Sequence, residues 1–168
     1  MKVTSAYANK MLKKLQEDKE FCLQQETKLS SYVAAIGEKP VVPEFDFVKN
    51  AKKIASIDRD IAVIKHAINV NNSTNTIKVG DDKMTIDTAL ITMAQLNRRK
   101  EDLDKLRQCQ PKTRNKNYSM SNTIEYTYLN YDVKEAQEMY DQVSDLITCI
   151  QMELDRYNQT IFFNIDIE

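Results

Sequence analysis

The chain contains one histidine, His66, and three cysteines, Cys22, Cys109 and Cys149, so nucleophilic or metal chemistry has few residues to work with. A general base or an activated nucleophile needs a partner within hydrogen-bond reach. His66 follows Lys65 and lies off the row Ile61, Ile64 and Ile68, so it reads as an exposed helical residue. Asp58 and Asp60, like Asp102 and Asp104, are two apart and face different sides of a helix. A helical di-metal site wants two Glu-x-x-His pairs, which one histidine cannot supply. The cysteines are far apart with no CxxC spacing, and they read as reduced core residues. No catalytic residue, metal ligand or cofactor is expected.

Binding chemistry has better candidates. Asn69, Asn71, Asn72 and Thr74 crowd one helix end with more polar side chains than a single cap needs. Capping explains them, and so does a polar pocket wall. In the second case Arg98 or Arg99 would supply charge, and Tyr126 or Tyr128 a stacking surface, for a small anionic nucleotide-like ligand at a subunit boundary. The run Arg98, Arg99, Lys100, Lys105, Arg107, Lys112, Arg114 and Lys116 is basic, while the last helix carries Glu135, Glu138, Asp141, Asp145, Glu153 and Asp155. These charges are expected to pair, within a subunit or across an interface.

The composition narrows the frame. A chain of 168 residues suits a single domain spanning 1–168, and 42% hydrophobic with 29% charged residues is globular. Two glycines and three prolines weigh against phosphate-cradling loops, barrels and sandwiches. The formal net charge of −1 creates no field for nucleic acid or an anionic membrane, so neither is an expected partner. Met1 to Ser5 leads straight into a charged helix without a signal-peptide run. The expected location is cytoplasmic.

Four helical seams must position these residues. The first helix, residues 1–37, carries Ala8, Leu15, Cys22, Leu29 and Ile36 at heptad spacing, but Asp18, Lys19, Gln25 and Glu26 make its middle polar. Gly37, Pro40 and Pro43 stop it. The second helix starts near Glu44, with rows Phe47, Ile54, Ile61, Ile68 and Ile57, Ile64, and the Asn-rich stretch from Asn69 ends it. Residues 75–85 read as a hairpin around Gly80-Asp81-Asp82, and Thr85 caps a third helix that Pro111 stops. Residues 112–122 read as a mobile basic loop and Ile124 to Leu129 as a strand. Asp132 opens a fourth helix with the seam Ala136, Tyr140, Val143, Ile147, Ile150, Leu154 and Tyr157. The tail Thr160 to Ile167 alternates, as a strand pairing near Tyr126 and Tyr128 would.

Several of these stretches occur together in a known order: Ile68-Asn69 with Asn72 and Thr74, Gly80 and Thr85 to Leu90, Arg99, and Asp132-Val133. The order resembles a family of small, all-helical, largely uncharacterised bacterial proteins labelled septicolysin-like. The resemblance runs from the second helix to the end and implies a helical fold. The family label suggests a cytolysin, hence a helix-based pore as one alternative. The chain departs from the family in a longer basic insert from Lys112 to Ser121.

The expected fold is mainly α: an antiparallel four-helix bundle or coiled coil, with a small β-hairpin and short strands at one end. The second and fourth helices are expected to form the core of the bundle, residues 44–168. The first helix, with its polar middle, is expected to lie outside and project to a partner subunit. The expected function is that of a non-enzymatic, self-associating protein acting by binding.

Overall fold

A computed structural model describes residues 1–115 and 124–167. The chain is mainly helical, with short strands joined in two-stranded antiparallel sheets. The order is β1 (Lys2–Thr4), α1 (Ser5–Leu29), α2 (Phe47–Thr74), β2 (Thr76–Val79), β3 (Asp82–Thr85), α3 (Ile86–Arg107), β4 (Lys112–Arg114), β5 (Tyr126–Tyr128), α4 (Val133–Thr160) and β6 (Phe162–Asn164). These residues form two compact units. One is Met1–Asn75 with Arg156–Glu168, and the other is Thr76–Asp155.

In the first unit α1 and α2 form an antiparallel pair. Asn71 meets Ser5 near one end, Lys19 meets Asp58 at 2.6 Å midway, and Asn50 donates to the Cys22 carbonyl at 3.1 Å near the other. Small residues at the start of α1, Ser5 and Ala8, are fully covered, and this lets the helices approach closely. The core collects Val3, Ala8, Leu12, Ile64 and Ile165, with Met11, Leu15 and Ile61 packed around it. The first helix is therefore part of a core, contrary to the expectation that it lies outside. Its polar middle is matched on α2, where Asp58 receives Lys19 and Asn50 donates to Glu26 at 3.2 Å. The Lys19–Asp58 pair also stays open to solvent, so the polar middle is not stripped of water as the expectation supposed.

The ends of this pair differ from the sequence reading as well. Helix α1 stops at Leu29, not at Gly37. Asn50 bonds Glu26, so Phe47, the first residue of α2, stands opposite Leu29. Any further turn of α1 would have no neighbour to bury its apolar side. Residues 30–46 instead form an irregular connection in which Gly37 takes a φ of 89° in a turn closed by Glu38 N–H donating to the Ala35 carbonyl. At the other end, α2 continues through the Asn-rich stretch to Thr74 and is capped by Asn75. Of the two Ile rows, Ile57 and Ile64 are buried together with Asn71 one heptad on, while Phe47 is exposed.

The chain enters α1 through a strand, β1, and not directly as expected. The tail strand β6 pairs with β1, Val3 opposite Phe163, instead of pairing near Tyr126 and Tyr128. That place is taken by β4, whose Lys112 and Arg114 stand opposite Tyr128 and Tyr126. The first residues of the stretch read as a mobile loop are thus a strand. Lys116 and Tyr118 lie outside the described residues.

In the second unit β2 and β3 form the expected hairpin, with Gly80 at a φ of 61° in the two-residue turn. Thr85 caps α3 and accepts from the Thr88 amide at 3.4 Å. Asp87 accepts from the Thr85 hydroxyl and the Thr88 amide, which hold its carboxyl below the usual range. The basic residues of α3 pair mainly within α3: Arg98 with Glu101, Lys105 with Asp102 and Arg107 with Asp104. Arg107 also donates to Gln137 of α4 at 3.1 Å and lies 3.9 Å from the Tyr140 ring centroid. Asp132 caps α4 through its carboxylate, which accepts from the Lys134 amide at 2.8 Å. All three cysteines are free. Cys22 is buried, but Cys109 and Cys149 are exposed and are not the core residues the sequence suggested. Among the described residues, no helix is long and apolar enough to cross a membrane, and no group of three His, Cys, Asp or Glu residues could hold a metal ion.

Candidate functional site

The first unit carries an open groove of about 750 Å³ between the C-terminal half of α2 and the strand β6. On α2 the helical spacing sets Val63, His66, Ala67, Val70 and Thr74 along one stripe facing it. Ala62 and Ala67 are small and leave room at the floor. Phe162, Phe163, Asn164 and Asp166 form the opposite wall. The lining is mostly apolar, with a histidine, a carboxylate and several amides around it.

The β6 wall presents a strand edge. Ile165 donates to the Met1 carbonyl at 2.8 Å and accepts from the Met1 amino group at 2.6 Å, a doubly bonded pair. Such pairs alternate along an antiparallel ladder, so Val3 and Phe163 form the next one. The backbone N–H and C=O of Phe162 and Asn164 then point away from β1. Phe162 and Asn164 are groove residues, whereas no residue of β1 is. Three consecutive strand residues line the groove, which is what an edge gives; a sheet face would give alternate ones. The edge has no paired strand among the described residues. Lys2 reaches over the Phe162 ring at 5.8 Å and adds a cation on the β1 side.

Asn71 ties the groove to the core. It is 5% exposed and donates to Ser5 Oγ at 3.4 Å, and its own carbonyl and side-chain oxygens accept from the Asn75 amide at 2.9 and 3.0 Å. Burial pushes the phenol of Tyr157 above its usual pKa, and the nearby Asn71 amide offsets part of that shift, although the Tyr157 hydroxyl makes no well-formed hydrogen bond. Replacing Asn71 with alanine strands the partners of a buried amide. It is expected to cost about 1–3 kcal/mol, measured by chemical denaturation. A cost below about 0.5 kcal/mol, the range of an ordinary surface substitution, would show that the Ser5–Asn71–Asn75 chain carries no weight.

The residues singled out from sequence divide between the two units. In the first, Thr74 lines the groove and donates its hydroxyl to the Val70 carbonyl at 2.7 Å. Asn69 and Asn72 belong to the same helix end but not to the groove wall, where Asn71 and Asn75 stand instead. In the second unit Arg98 pairs with Glu101 at 3.7 Å, and Arg99 is exposed on α3. Tyr126 and Tyr128 come together with ring centroids 6.4 Å apart. Their cation is Lys112, whose Nζ lies 4.1 Å from one ring centroid and 5.2 Å from the other. Arg114 is two residues along the same strand, on the same face as Lys112.

Sequence reasoning missed His66, Phe162 and Asn164. His66 reads as surface and is exposed, but it is exposed into the groove. The signal for the strand wall was the late alternation of the tail, which could have been paired with Lys2-Val3-Thr4 by the same period-two pattern.

No family model matches the chain, and no curated protein matches its sequence. Its fold does match a solved structure from Corynebacterium diphtheriae, described as that of a functionally unknown conserved protein. The match covers 98% of this chain and 100% of that one, with a TM-score of 0.68 at 17% identity. At that identity the likeness is one of fold alone.

Proposed function

We propose that this protein acts by binding and not by catalysis, as a self-associating helical protein whose docking site is the groove of the first unit. One observation carries the reading: a strand with one edge paired and the other turned into an apolar groove. An unpaired edge is a template for a further strand, and folded chains ordinarily block or cover it. The three free cysteines fit a reducing compartment, and a cytoplasmic location belongs to the same proposal. Light scattering at low micromolar concentration tests the self-association. A dimer or larger species is expected, and a strict monomer would overturn it.

A second reading is favoured by Lys112, which sits over Tyr126 and Tyr128 on an exposed two-stranded ladder. Two tyrosine rings and two cations on one face suit a small anionic, aromatic ligand of nucleotide type. At a hundredfold excess over the dissociation constant such a ligand would add about 2.7 kcal/mol to stability. A thermal-shift series of mononucleotides and cyclic nucleotides that leaves the transition unmoved would remove this reading.

A further inference from the structure

We infer that the groove of one copy receives the exposed segment Tyr32-Val33-Ala34-Ala35-Ile36 of a second copy, added as a strand to the free edge of β6. This inference rests on the self-association proposed above and names the parts that meet. The segment belongs to the connection between α1 and α2. Its apolar side chains stand in solvent, with Val33 and Ile36 fully exposed and Tyr32 about half exposed. Tyr32 to Ala35 take no regular structure, and Ile36 enters the turn at Gly37. Tyrosine and β-branched side chains favour a pleated strand. Chain and groove thus each lack what the other offers: backbone partners for Phe162 and Asn164, and an apolar wall for Tyr32 and Ile36, which a strand sets on one face.

The segment does not reach its own groove. It leaves α1 at Leu29, and Phe47 stands opposite. The near end of the groove, at Ala62, lies about 22 Å along α2 from Phe47. Five extended residues from Leu29 to Ala34, the middle of the segment, span at most about 18 Å, so the segment cannot lie along the groove of its own chain. The occupant therefore comes from another molecule. Segment and groove lie at opposite ends of the α1–α2 pair. Two copies set antiparallel about a two-fold axis would exchange segments reciprocally, so that every edge is filled and the assembly closes. Such an arrangement uses the surface twice. That matters because one short strand falls short of the roughly 800 Å² per partner that a standard interface buries.

The test is light scattering of the full chain and of three variants, each checked for wild-type helical circular dichroism. The double variant V33D/I36D alters only exposed positions. Asn164→Pro removes the N–H that points into the groove and places a ring across the edge, at the kind of edge position that tolerates proline. Should Asn164→Pro fail to fold, Val70→Lys, at a half-exposed groove position, takes its place. Ile91→Asp, on an exposed position of α3, is the control. The wild type and Ile91→Asp are expected as dimers. The segment and groove variants are expected to lose half the mass and run at 19.5 kDa. A segment variant that stays dimeric overturns the strand exchange while leaving self-association intact. A segment variant that dissociates while the folded groove variant remains dimeric overturns the choice of groove. A monomeric wild type overturns this inference and the self-association together.

Discussion

Ile64→Asp is expected to unfold the first unit, and Leu12→Asp is expected to do so as completely. Ile64 is 0% exposed, and Leu12 belongs to the same cluster on the facing helix. A carboxylate at either position would be buried without a cation, which costs more than the few kcal/mol by which a domain exceeds its unfolding threshold. The comparison decides where α1 belongs. If α1 merely leaned on a partner subunit, Leu12→Asp would dissociate an assembly and keep the helical signal. If α1 is core, both variants lose helical circular dichroism together. Urea titration of the milder Ile64→Ala gives the graded version, with a loss of about 2–5 kcal/mol.

In the second unit the largest effect is expected at Leu103. It is 1% exposed on the seam of α3, whereas Leu96, two turns earlier on the same seam, is only half buried. Leu103→Ala is expected to cost about 2–5 kcal/mol through lost transfer energy and the cavity left behind. Leu96→Ala removes the same atoms from a site that water already reaches in part, and is expected to cost less than half as much. Denaturation midpoints of the two variants check the ratio. Equal losses would show that the middle of the seam is better covered than its exposure indicates.

Local patterns were legible in the sequence, and pairings between distant segments were not. The seam of α4 is one such pattern, for Ala136, Ile150, Leu154 and Tyr157 are all buried. The hairpin around Gly80 is another, because a turn with positive φ flanked by alternating residues is a short-range signal. Helix capping by Thr85 and Asp132 was readable for the same reason. By contrast, the β1–β6 ladder joins residue 2 to residue 164, and three residues on each side carry no signature that names the partner. The sequence carries α1 too far because Ile36 continues a heptad that α2 is not there to meet. Only the length of the facing helix sets that boundary. The polar middle of α1 was read as a reason to exclude it from the core. Lys19 and Glu26 instead find Asp58 and Asn50, residues that sequence spacing alone does not align.

The candidate site shows the same division. The Asn cluster was recognised as unusual, and Asn71 and Thr74 do reach the groove. Its other wall depends on which edge of β6 is left open, a property of the ladder and not of any residue type. The sequence reading sets Tyr126 and Tyr128 with Arg98 or Arg99, whereas the cation over their rings is Lys112 across the ladder.

Amide hydrogen exchange in β6, followed by NMR across a dilution series, tests the central claim most directly. The Phe163 and Ile165 amides, bonded towards β1, should stay protected at every concentration. The Phe162 and Asn164 amides should be protected in concentrated samples, where a second copy covers them, and should exchange freely on dilution to monomer. Protection of Phe162 and Asn164 that does not change with concentration would contradict the account, because that edge would then be closed within the single chain.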